Sequence, residues 1–234
     1  MSPRPRKASD EEIFAAAHRI MQRLGPAQWT LADIAAEAGL TAGALVQRFG
    51  SKRDLLVTLT EQVVRATPQM MAQLRAGHAS PLDALRAYAE CIAQMGESPG
   101  VLAHHLAYLQ LDLTDPDLHK QVRAQAKATR AAIREWLEEA VALGELEPSV
   151  DTVGLARAVE VTLSGSLMTW AFYQDGPAAR WVLDDLEAVL RRDSSSSVSA
   201  SKQRQASGTK RGNVAAPAVP HKRKRRGGRG ASSS

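Results

Sequence analysis

The sequence predicts an all-α fold, and three observations carry the prediction. Hydrophobic residues make up 44% of the 234 residues and aromatics only 4%, with alanine and leucine dominant between Asp10 and Arg192. Apolar residues recur at helical spacing, and alternating β-branched runs are scarce. Helix signals repeat along the chain, with Ser, Thr or Asp ahead of each apolar stripe and Gly or Pro behind it. About nine helices are expected, the first three in a short N-terminal unit.

Ser9-Asp10-Glu11-Glu12 reads as a capping box, in which the Ser9 hydroxyl accepts from the Glu12 amide and the Glu12 carboxylate reaches back. Ile13, Ala16, Ala17, Ile20, Met21 and Leu24 then form one stripe, and Gly25-Pro26 stops the first helix. Trp29 is expected to pack where the second helix begins. Thr30 caps that helix over Leu31 to Ala38, with Asp33 placed to complete a second box and Leu31, Ile34, Ala35 and Ala38 facing inward. Gly39 sits where a left-handed residue ends a helix, and Leu40 plugs the turn into the core. Thr41 caps a third helix over Ala42 to Phe49, in which Leu45 and Phe49 share the buried face. Thr41, Ala42, Ala44, Val46, Gln47 and Arg48 are left to face outward or to flank that face. Gly50 ends the helix, and Ser51-Lys52-Arg53-Asp54 is a third box that opens the fourth. Thr30 to Leu56 therefore has the layout of a helix-turn-helix DNA reader, whose second helix lies in the major groove.

Six further helices are expected over 54–192. Helix four runs from Lys52 towards Arg75, with a bend expected at Pro68, which removes an internal hydrogen bond. Helix five starts at Pro81 behind a Ser80 cap and ends near Glu97. Helix six covers about Val101 to Leu111. Asp115 caps helix seven, which runs from Pro116 to about Leu143. Helix eight covers about Val150 to Gln174, and helix nine about Ala178 to Arg192. Asp112, Asp115 and Asp117 cluster at a helix start, where acids favour the dipole, and are read as capping.

The run Leu31-Ala-Asp-Ile-Ala-Ala-Glu-Ala-Gly-Leu, followed by Gly43, Leu45, Phe49, Ser51-Lys52 and Leu55-Leu56, resembles the DNA-binding domain of the TetR family of bacterial repressors. The resemblance is dense across residues 10–56. It departs at Val46, where the family often has an aromatic that touches the phosphate backbone, and at Arg48, where it often has histidine. Carried over by position, Thr30, Thr41, Arg48 and Lys52 would bind phosphates, and Thr41, Ala42, Ala44 and Gln47 would face base edges. Gln47 can pair bidentately with adenine, and alanine methyls can meet thymine methyls. Arg48 could supply the charge that Val46 lacks.

The resemblance also implies a ligand cavity in the second domain and pairing of the last two helices with those of a second subunit. Val159, Leu163, Ser166, Leu167 and Trp170 on helix eight, and Trp181, Leu186 and Val189 on helix nine, are the expected dimer interface. The alternative is that these stripes are buried within one chain. Met70, Met71, Cys91, Met95, His104, His105, Tyr108, Gln110 and Trp170 fall on cavity-lining helices, although each also suits ordinary core. His104-His105 is a poor metal pair, because neighbouring helical residues point about 100° apart. No metal, cofactor or catalytic constellation is expected, and the chain does not read as an enzyme.

The net charge of +5 is unevenly spread. Residues 193–234 carry ten Lys and Arg against Asp193 alone, whereas residues 54–192 carry 12 basic and 19 acidic residues. Basic ends around an acidic middle favour a polyanionic partner. The Ser-rich stretch 193–234 lacks large apolar residues and is expected to be disordered, its run His221 to Arg229 either a nonspecific phosphate-binding arm or a solvated tail. Expected domains are a flexible basic arm over 1–8, a helix-turn-helix domain over 9–56, a ligand-binding and dimerisation domain over 57–192, and the tail. No run approaches the roughly 18 apolar residues of a membrane helix, the N-terminus lacks a secretory h-region, and the lone Cys91 precludes an intrachain disulfide. A cytoplasmic, nucleoid-associated bacterial protein is expected. The first functional reading is a homodimeric repressor that binds a palindromic operator and is released by a small molecule. The alternative is an accessory or nucleoid-type DNA-binding protein whose affinity comes from the tail.

Overall fold

The computed structural model describes residues 8–192, and these are helical apart from turns and caps. The elements are α1 (Asp10–Gln28), α2 (Leu31–Glu37), α3 (Ala42–Phe49), α4 (Lys52–Ala76), α5 (Pro81–Ala93), α6 (Pro99–Thr114), α7 (Pro116–Ala142) and α8 (Thr152–Tyr173), with a last helix, α9, over 178–192. The tail expected over 193–234 and all but Ala8 of the basic arm lie outside the described residues.

Local chemistry fixes the N-terminal boundaries as the sequence suggests. Both halves of the capping box form at Ser9/Glu12, Thr30/Asp33 and Ser51/Asp54. The helical path of α1 breaks at Gly25, whose φ of 67° and ψ of 173° lie outside helical space, before a last turn through Pro26. Gly39 takes φ 70° in the turn between α2 and α3, a conformation cheap only for glycine. Pro68 lies inside α4, which continues through it to Ala76.

Three later boundaries move. The fifth helix ends at Ala93 and tightens into a 3-10 turn at Gln94–Gly96. Ser98 then caps α6 by accepting from the Val101 amide, with Pro99 in the first position, so α6 starts two residues earlier than expected and runs on to Thr114. The eighth helix starts at Thr152 because the Asp151 carboxylate accepts from the Val153 and Gly154 amides. It ends at Tyr173, where Gln174 turns left-handed at φ 53°.

Two cores organise the chain. In the head, Ile13, Ala17 and Ile20 of α1, Trp29, Ile34 of α2, Leu45 of α3 and Leu55, Leu56 and Leu59 of α4 bury together. Leu118 of α7 joins them, and Tyr108 and Leu111 of α6 pack on the same cluster. The body core gathers Met71, Leu85, Ile133, Leu137, Leu155, Val159, Leu163, Leu167, Trp170, Val182 and Leu186. Because α4 runs unbroken from head to body and α6 packs along α1, a shift of α6 cannot leave the head untouched.

Candidate nucleic-acid interface and junction cavity

The candidate reading face is the outer side of α3. Leu45 is 0% exposed and Phe49 half-buried, its ring 5.9 Å from that of Phe14, so this side of α3 is anchored. The opposite side is open: Thr41, Ala42, Gly43, Val46 and Gln47 are exposed and Ala44 is half-buried. The Thr41 hydroxyl accepts from the Ala44 amide at 3.2 Å, which satisfies one free donor of the first turn. All four expected base readers are thus reachable from solvent, Thr41 and Ala42 at the first turn of α3 and Ala44 and Gln47 on the side away from Leu45 and Phe49.

The expected phosphate ligands are already engaged. The Thr30 hydroxyl gives its proton to Asp33 Oδ2 at 2.7 Å and accepts from the Asp33 amide; that hydroxyl and the Thr30 amide, both donating to Oδ2, hold the Asp33 carboxyl below its usual range. Arg48 donates Nη1 to the Ala8 carbonyl at 2.7 Å, pairs Nη2 with Asp10 at 2.7 Å, and lies over the Phe49 ring. Lys52 donates Nζ to the carbonyls of Pro26 and Trp29, both at 2.6 Å, and sits 4.1 Å from the Trp29 ring centroid. Burial lowers the Lys52 pKa. Lys52 therefore clamps the corner between α1 and α2, which the sequence reading missed. It also missed Arg23, an exposed cation near enough to Asp33 to help lower its pKa, and Arg53. The Arg53 guanidinium bonds Asp115 at 2.6 and 2.9 Å and Asp117 at 2.6 Å, tying the start of α4 to the corner between α6 and α7. Asp115 and Asp117 thus do more than cap.

A cavity of about 220 Å³ lies where α1 meets α4, α6 and α7. Of the expected ligand residues, His104, His105 and Tyr108 line it. The others do not. Met70 and Cys91 point to solvent, Gln110 is exposed, Met71 is buried in the body core, and Met95 packs against that core. Trp170 is core as well, its indole donating to the Gly176 carbonyl at 2.9 Å. In their place stand His18, Met21 and Gln22 of α1, Thr60 of α4 and Asp112 of α6. Met21 belongs to the apolar stripe of α1, and Asp112, expected as a cap, lies inside the last turn of α6, while no local pattern marks His18, Gln22 or Thr60.

Contacts across the cavity join head and body. The Trp29 indole donates to the Tyr108 hydroxyl at 2.6 Å, and His104 Nδ1 lies 2.9 Å from the Gln22 carbonyl. A Cβ on Gly25 would stand 2.7 Å from the His104 ring, so the glycine also permits this approach. Burial pushes Tyr108 up to about 12 and raises Asp112. It lowers His18, and it lowers His105 with a smaller contribution from His104. Among the described residues, no group of three or more His, Cys, Asp and Glu is arranged to hold a metal ion. No helix among them is long and apolar enough to cross a membrane.

Most of the expected dimer residues are covered within the chain, and only Trp181 and Val189 stay partly exposed. Val159, Leu163, Ser166, Leu167, Trp170 and Leu186 are buried within a single chain, and Trp181 and Val189 pack on the same core. Ser166 donates to Asp185 at 2.6 Å in the same chain. The stripe was amphipathic as read, but its apolar side faces α7, α9 and the chain's own body. A second stripe of α8 is left open: Val153, Val161, Met168 and Phe172, the last 82% exposed, with Gly165 facing open space.

Similarity to known proteins follows the same two units. Residues 13–59 match the family described as bacterial regulatory proteins, tetR family, and residues 81–186 match the tetracyclin repressor-like C-terminal domain. Together the matches cover more than half of the chain. A 78-residue stretch is 35% identical to the HTH-type transcriptional regulator BetI of Stenotrophomonas maltophilia (strain R551-3), covering 33% of this chain and 40% of that relative. The chain thus spans less than half of that relative's length. Among solved structures, a TetR transcription regulator from Haloarcula marismortui superposes with a TM-score of 0.65 at 16% identity, over 78% of this chain and 96% of that one. SmeT, the repressor of a Stenotrophomonas maltophilia multidrug efflux pump, gives 0.58 at 23%, over 80% and 90%. FadR of Bacillus subtilis, solved with stearoyl-CoA, gives 0.59 at 18%, over 78% and 98%.

Proposed function

The chain belongs to the TetR family of DNA-binding transcription regulators, and from that premise we propose that it is a homodimeric repressor released from a palindromic operator by a small molecule. The observation that carries the DNA-binding part is the accessibility of α3, with Thr41 and Ala42 open at its first turn and Ala44 and Gln47 on the side away from the buried Leu45. Two such helices in a symmetric dimer would address two half-sites in successive major grooves.

The phosphate contacts change from those expected. Lys52 has three protons and uses two on carbonyls, so one remains for a phosphate. Arg48 is held against the arm at Ala8 and Asp10 and serves chiefly to fix α3 to α1. Arg23, beside the start of α2, takes its place as a phosphate partner. Pairing of two subunits uses the open stripe of α8, where Val161, Met168 and Phe172 supply apolar area and Gly165 allows close approach.

The effector site is the junction cavity. A ligand there touches α1 and α6 at once, so it favours one placement of the head over the other by its differential affinity for the two. In-vitro selection of bound DNA by the full chain tests the reading. Enrichment of an inverted repeat supports it, and enrichment of nothing beyond random sequence removes it.

A further inference from the structure

The wall of the junction cavity carries one acid, Asp112, and no lysine or arginine. No described cation acts on that carboxyl, and burial alone raises its pKa. The other polar groups are neutral hydrogen-bonding side chains. A carbonyl oxygen only accepts, so His104 Nδ1, facing the Gln22 carbonyl at 2.9 Å, carries a proton that is spent there. The Thr60 hydroxyl spends its proton on the Leu56 carbonyl at 2.9 Å and keeps its lone pairs. His18 and His105, held neutral by burial, each offer one acceptor nitrogen and one N–H donor. The Gln22 and Gln125 amides can turn either way, and the Tyr108 hydroxyl, which accepts from Trp29, keeps its proton to donate. Tyr108 adds an aromatic ring, and Met21, Leu59 and Val122 add apolar wall.

A lone carboxylate with no lysine or arginine in the same wall, ringed by aromatic and apolar side chains, suits a positively charged guest. We propose that the cavity binds a protonated amine carried on a small apolar body, with Asp112 as its counter-ion and the Tyr108 ring and neutral imidazoles around the ammonium group. An organic anion would meet the Asp112 charge with no basic residue to offset it. The size is bounded too: benzene fills an engineered cavity of about 150 Å³, and about 220 Å³ takes a ring with one short substituent. This assignment rests on the cavity being the effector site.

The test is calorimetric titration of the full chain with three probes of one shape: benzylamine, benzyl alcohol and benzoate. Benzylamine is expected to bind about tenfold tighter than the alcohol, with benzoate weakest, and Asp112→Asn is expected to remove that preference. Val63→Trp, which fills the cavity, is expected to abolish binding of every probe, with Val122→Phe in its place if that variant does not fold. Preference for the alcohol or benzoate, abolished by Val63→Trp, overturns the cation assignment while leaving the cavity as the effector site. An amine preference that survives Asp112→Asn overturns it in the same way. Amine binding that survives cavity filling overturns both readings, and so does failure of all three probes to bind.

Discussion

The Trp29 indole donates to the Tyr108 hydroxyl at 2.6 Å, joining the corner of the head to a residue 79 positions later that also lines the cavity. Lys52 lies over the face of the same indole and holds the carbonyls of Pro26 and Trp29. A guest that displaces Tyr108 therefore disturbs the residue on which the start of α4 and the corner between α1 and α2 both depend.

Tyr108→Phe removes the acceptor and keeps the ring. It is expected to lower stability by about 1 kcal/mol, the order of one unpaired donor at a partly buried site. Ligand titrations of the DNA complex should show weaker coupling, with DNA affinity in the absence of ligand changed little. Unchanged ligand-induced release in this variant removes Tyr108 from the route between the sites.

Lys52→Met separates clamp from phosphate ligand. Loss of two bonds to carbonyls is expected to cost about 1–2 kcal/mol, after allowance for the solvent that reaches this half-buried amine. Thermal unfolding reads that loss. A purely phosphate-binding lysine would leave the melting temperature unchanged and reduce the slope of log affinity against log salt by about one.

Acid should loosen the junction. The folded-state pKa values of His18 and His105 lie below 6.5, so the unfolded chain binds more protons as pH falls past that value. Stability is full above the unfolded pKa and is lost as pH falls towards the folded values. Asp112, raised above 3.8, acts with the opposite sign: its penalty appears as pH rises through its folded pKa. Denaturant melts just below pH 6.5 should show a decline that His18→Gln and His105→Gln flatten. An undiminished decline in the double variant assigns it to other groups.

Phe172→Asp, on the open stripe of α8, is expected to leave a folded monomer by light scattering, while Leu163→Asp should unfold the body. A Phe172→Asp chain that still dimerises moves the subunit interface elsewhere.

The head was legible because its signals are local. Ser9, Thr30, Thr41 and Ser51 act on amides a turn away, and Gly39 answers a backbone need at its own position. The second domain was less so. Helix eight has two apolar stripes, and periodicity marks a face without saying whether α9 of the same chain or a second copy covers it, so Val159 and Leu163 were assigned outward. The cavity was half seen. His104, His105 and Tyr108 share one short helix, but His18, Gln22 and Thr60 reach them only through the packing of α1 and α4, which no spacing encodes. The clamp that Lys52 makes is hidden for a related reason: its partners, Pro26 and Trp29, lie across a turn whose path depends on Gly25.

The most direct measurement is parallel in-vitro selection of DNA by the wild-type chain and by Gln47→Ala. The account predicts an inverted repeat for the wild type and, for Gln47→Ala, the same spacing with preference relaxed at one position in each half-site, a loss of about 1–3 kcal/mol of discrimination there. Identical preferences from the two proteins would contradict base reading by the outer face of α3.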